Sequence, residues 1–104
     1  MKVDGDLRKL IQPGEVVHAE ALARDARILV TDKRVIVAAP TRTALAIPIE
    51  DLRRIQFDIE RTRPATLVLV PETPTNEPQV LAVPHEHLWE VAGALVEIAE
   101  RLSA

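Results

Sequence analysis

Ile28-Leu29-Val30-Thr31-Asp32-Lys33-Arg34-Val35-Ile36-Val37-Ala38 holds two short runs of aliphatic, mostly β-branched residues parted by Asp32 and Lys33. Such runs suit a pleated surface, and Asp at the first of two intervening positions favours a turn, so the stretch predicts a tight hairpin. A two-stranded hairpin is not stable alone in water and needs more strands or a helix against its apolar face. The flanking sequence offers both.

Upstream, Pro13-Gly14 predicts a turn and Glu15 to Ala23 a first strand, weakened by its alanines and ended at Arg24-Asp25-Ala26. Downstream of Pro40-Thr41-Arg42-Thr43, the residues Leu45, Ile47 and Ile49 alternate with small ones, so one face of that strand enters a core. Pro48 cannot donate to a ladder and marks a sheet edge or strand end. Glu50-Asp51-Leu52-Arg53 predicts a helical turn. Ile55, Phe57 and Ile59 then alternate with Gln56, Asp58 and Glu60, the pattern of a strand with one wet face. Thr66 to Val70 and Gln79 to Val83 bring the count to six or seven strands, joined by a Pro-rich surface loop from Pro71 to Pro78.

From Glu86 the period changes. Leu88, Val91, Ala92, Leu95, Ile98, Ala99 and Leu102 recur at helical spacing, with Glu86, Glu90, Glu97 and Glu100 between them. A C-terminal amphipathic helix follows, its acidic first turn suited to the helix dipole and Pro84 just ahead of it. Trp89 is expected to anchor this helix, a place at the rim being the alternative. The whole is a mainly β chain with one closing helix. Its 104 residues fit one domain, with residues 1–9 a loosely ordered lead-in.

Composition removes several classes of function. There is no cysteine, hence no disulfide and no thiolate metal site, and the cytosol is the expected compartment. The start Met1-Lys2-Val3-Asp4-Gly5-Asp6 is polar where a secretory leader is apolar, and no run approaches a membrane span. A net charge of −3 argues against general nucleic-acid affinity. Phe57 and Trp89 are the sole aromatics, too few for a base-stacking platform.

The inventory also speaks against catalysis. Without cysteine or tyrosine, and with Ser103 the one serine, the usual nucleophiles are nearly absent. His85 and His87 flank Glu86 as an extended His-x-His would at a metal, but two ligands do not make a site, and helical spacing splays them. These, and His18 on the first strand, read as solvated residues. The helix glutamates read as its wet face. Gly5, Gly14 and Gly93 are isolated and form no phosphate-cradling loop. No catalytic residue, metal or cofactor is expected.

Pro13-Gly14-Glu15, then Leu29 to Ile36 across the hairpin, then Ile47-Pro48-Ile49-Glu50-Asp51-Leu52 resemble, in order and spacing, bacterial pleckstrin-homology-like (PH-like) domains. Their hallmark is a Thr-Asp/Asn-Lys-Arg turn and a later Ile-Pro-hydrophobic-Glu-Asp-hydrophobic stretch. The resemblance spans about residues 10 to 102. It implies a barrel or sandwich of two roughly orthogonal antiparallel sheets of four and three strands, capped by the helix, and a Trp in that helix is also found in eukaryotic members. It implies no chemistry, because the fold hosts lipid, peptide and protein binding as well as self-assembly. Phosphoinositide-binding members carry a basic motif along the first two strands and their loop. Here that loop is Arg24-Asp25-Ala26-Arg27, with an acid in its middle.

Three surfaces remain as candidates. In a four-stranded meander the first-to-second and third-to-fourth connections share one end, which gathers Arg24, Arg27 and Arg42 for an anionic headgroup or acidic partner. Ala92-Gly93-Ala94 is a small patch on the helix, facing either the chain's own strands or another copy. Edge strands offer free backbone groups to a further chain. The leading expectation is a non-enzymatic protein-interaction or homo-oligomerising module. The alternative is a peripheral membrane module binding anionic headgroups weakly through the arginines.

Overall fold

The computed structural model describes residues 9–103. The expected lead-in, apart from Lys9, lies outside the described residues. Strands β1 (Val17–Ala23), β2 (Ala26–Thr31), β3 (Arg34–Ala38) and β4 (Thr43–Pro48) form one antiparallel meander. Strands β5 (Leu52–Asp58), β6 (Ala65–Pro71) and β7 (Gln79–Val83) form the second sheet, and helix α1 (Leu88–Ser103) follows. Short 3-10 turns at Ile49–Asp51 and His85–His87 lead into β5 and α1. The predicted helical turn is therefore present, but it starts one residue earlier and ends at Asp51, Leu52 and Arg53 already belonging to β5.

Alternation decides what each sheet buries. Ala21, Ala23, Ile28, Val30, Val35, Val37, Leu45 and Ile47 point inward from the first sheet, and Ala65, Leu67, Leu69, Leu81 and Val83 from the second. Val91, Ala94 and Ile98 of α1 close the same core, the helix lying mainly over β1 and β2. Pro48 ends β4, which pairs only with β3, so the proline sits at an edge where its missing N–H costs nothing.

The hairpin word explains itself in three dimensions. Thr31 Oγ1 accepts from the amides of Lys33 (3.1 Å) and Arg34 (2.8 Å), closing the turn. The Asp32 carboxylate accepts from Val16 N at 2.9 Å while Asp32 N donates to Val16 O at 3.0 Å. Ile49 N donates to Lys33 O at 3.1 Å, which ties the Ile47 to Leu52 stretch to the hairpin.

Glu15 is the centre of this end. It stands ahead of β1 rather than in it, and its side chain is fully buried. Arg34 grips it with two prongs, Nε to Oε2 at 2.8 Å and Nη2 to Oε1 at 2.6 Å, and Thr31 Oγ1 donates at 2.7 Å. Gln12 N donates to Oε1 at 2.9 Å, and Arg34 Nη2 also holds Leu10 O at 2.6 Å. The segment thus secured lays Leu10 and Ile11 over Leu29 and Ile36 on the outer face of the first sheet. The Arg34 guanidinium holds the Glu15 carboxyl down at about 2, from an ordinary 4.5.

Three expectations need correction. Trp89 does not anchor the helix: it is 90% exposed. It shares a helical row with Gly93 and Val96, whereas the buried row runs through Val91, Ala94 and Ile98. Ile59 lies beyond the end of β5 and is exposed, so the inward alternation stops at Phe57. Ala99 and Leu102 are exposed too, since the helix's wet side and final turn lie off the sheet.

Candidate binding groove

Arg24 and Asp25 are the two residues between β1 and β2, Ala23 pairing directly with Ala26. So tight a reversal requires an unusual backbone, and Asp25 takes a left-handed φ of 58°, which Asp tolerates better than most residues. The amide of Arg24 donates to Ala82 O at 2.7 Å, fastening the turn to β7 of the other sheet. Across from it, Gln79 Nε2 reaches Ala44 O on β4 at 3.4 Å.

Between these two links lies a groove of about 360 Å³. Arg24 and Arg42 line it with Gln79, and Val37, Val80 and Leu81 supply apolar wall. Neither guanidinium has an ion pair or side-chain hydrogen bond among the described residues. Asp25 lines the same groove, leaving one net positive charge. Val80 is 69% exposed.

The sequence reading placed three arginines here, and the structure brings together two. Arg27 belongs to β2, paired across from Leu22 and Ala38, and its guanidinium is ion-paired with Glu20. The β1–β2 loop is shorter than the expected Arg24 to Arg27: Asp25 completes the reversal at once, and Arg27 sits inside β2. Gln79 and Val80 were missed. Their strand was legible, but its docking against the β1–β2 turn is long-range.

The small patch on α1 does not form a single surface. Ala94 is buried, Ala92 half-buried and Gly93 exposed, as three consecutive helical residues must diverge. A Cβ at Gly93 would meet nothing within 4 Å, so no strand of this chain requires the glycine. The histidines part likewise. His85 Nε2 lies 2.7 Å from Glu60 O and fastens the β5–β6 loop, whereas His87 Nδ1 lies 3.2 Å from the Glu90 carboxylate. His18 approaches Glu97 at 3.8 Å.

Two sheets of four and three strands, in strict meander order and closed by one terminal helix, can be compared with solved structures. A crystal structure of a pleckstrin homology domain from Shewanella amazonensis SB2B superposes with a TM-score of 0.70 over 99% of this chain and 97% of that one, at 20% identity. The fold is that of a pleckstrin homology domain. No protein-family model and no curated protein matches the chain. Within the PH fold, the word from Thr31 to Arg34 is structural here: Thr31 and Arg34 are spent on Glu15 and on the turn itself. Among the described residues no helix is long and apolar enough to cross a membrane.

Proposed function

We propose that the chain is a non-catalytic binding module that holds an acidic segment of a partner protein in the groove beside β7. The carrying observation is that the guanidinium groups of Arg24 and Arg42 line one groove and have no ion pair or side-chain hydrogen bond among the described residues. The apolar walls and the edge position of β7 favour a peptide over an isolated anion, because side chains and backbone then both find contacts. The cysteine-free composition supports a cytosolic setting.

A labelled peptide alternating Glu and Val tests this reading. It should bind with an affinity that falls as salt rises, and Arg24→Met with Arg42→Met should weaken it on the order of tenfold or more. Unchanged binding by the double variant would refute the assignment. The second reading, a phosphate-bearing lipid headgroup, uses the same two arginines. Vesicles with and without phosphatidylserine, pelleted at low and physiological salt, separate the two: salt-sensitive pelleting with the anionic vesicles alone would make this a membrane-surface module. Concentration-dependent mass lost in the same double variant would make the acidic segment another copy of the chain.

A further inference from the structure

The outward face of α1 carries a feature the fold does not use. Trp89, Gly93 and Val96 fall in one row, four and three residues apart, opposite the buried Val91, Ala94 and Ile98. Trp89 is 90% exposed and Val96 is 56% exposed. Between them Gly93 leaves a notch where a side chain would meet nothing within 4 Å, so internal packing does not explain the residue. An exposed Trp offers about 150–250 Å² for burial, and a notch one turn away admits a second backbone at close range.

The rim says what kind of partner fits. Glu100 continues the row one turn beyond Val96, Glu90 and Glu97 run along one side of it, and Glu86 stands in the turn just ahead of the helix. The one cation on the helix, Arg101, is taken by Glu97 at 3.2 Å, which His18 approaches at 3.8 Å. Glu90 is partly engaged with Leu22 N and His87, but Glu86 and Glu100 have no partner among the described residues. An antiparallel second copy on this face would set each carboxylate flank against its twin, which costs energy. An anionic bilayer would meet the same repulsion. A cationic segment gains from both the apolar row and its border.

We infer that the outer face of α1 docks a basic amphipathic helix of a partner protein, with Trp89 as the anchor and Gly93 as the point of closest approach. The groove beside β7 plays no part in it, and either assignment stands without the other. Trp89 is the sole tryptophan, so its emission reports on the face directly.

The probe is a leucine–lysine peptide of about five helical turns with leucines at positions i, i+3, i+4 and i+7; a leucine–glutamate twin serves as control. The cationic peptide should shift Trp89 emission to the blue in a saturable, salt-sensitive way, and the acidic twin should not. Gly93→Gln fills the notch without touching the fold, and should weaken the cationic peptide on the order of tenfold while the melting temperature holds or rises. Trp89→Ala, followed through a label on the peptide, should weaken it at least as much. An equal response to the acidic twin, or unchanged affinity in both variants, would overturn the inference. So would a blue shift produced by phosphatidylcholine vesicles alone, which assigns the face to a membrane, or one that grows with protein concentration alone, which assigns it to a second copy.

Discussion

The first sheet has two ends, and they treat their charges in opposite ways. At the β2–β3 end, Glu15, Asp32 and Arg34 are engaged with one another's neighbourhood, every contact internal to the chain. At the β1–β2 and β3–β4 end, the guanidinium groups of Arg24 and Arg42 stand on a groove without an ion pair or side-chain hydrogen bond among the described residues. A buried charge is tolerable only when paired and hydrogen-bonded, so the first end is committed to structure. A solvated guanidinium beside apolar walls carries no such commitment and remains free for a ligand. The Thr31 to Arg34 turn that is so legible in the sequence belongs to the committed end.

The largest expected effect tests that commitment. Arg34→Met strands the Glu15 carboxylate in the interior and should cost about 3–5 kcal/mol, read from the urea midpoint. A loss below about 1 kcal/mol would mean that water reaches Glu15 and the two ends differ less than the geometry implies.

Acid probes the same pair from the other side. The folded Glu15 carboxyl takes its proton near pH 2 and an unfolded one near 4.5. A depressed folded pKa stabilises above the unfolded value, so the contribution is whole above pH 4.5 and drains as the pH falls towards 2. The depression corresponds to on the order of 3 kcal/mol, and Glu15→Gln should remove that component of acid sensitivity. An unaltered acid profile in the variant would place the titration elsewhere.

Gly93 extends the comparison to the helix. If it is as uncommitted to the fold as Arg24 and Arg42, Gly93→Ala should stabilise the free protein by about 1 kcal/mol, measured by thermal melting. Destabilisation would reveal a packing role for the glycine. Smallest of all, Arg24→Met and Arg42→Met should each move stability by less than about 0.5 kcal/mol while changing peptide binding. A larger loss would transfer these arginines to the structural account.

How much of this was legible depends on the range of the interactions. The hairpin from Ile28 to Ala38 was readable because its turn and its alternation are both local. The helix is readable by period, yet the expectation that Trp89 anchors it fails on register: Trp89 follows Gly93 and Val96, not Val91 and Ile98. Ile59 shows the same limit, since its alternation continues past the last residue that β5 can pair. For the groove, meander topology sufficed to bring Arg24 and Arg42 to one end, whereas Arg27 depended on where the reversal closed.

By itself the sequence determined a set of six or seven strands, the closing helix and the absence of cysteine chemistry, because periodicity and turn residues act over a few neighbours. Only the tertiary structure decided that Glu15 would meet Arg34, that β7 would complete the groove beside Arg24, and that Trp89 would face solvent. Each of those outcomes depends on which sheet lies against which, and that is settled by burying all the inward side chains at once.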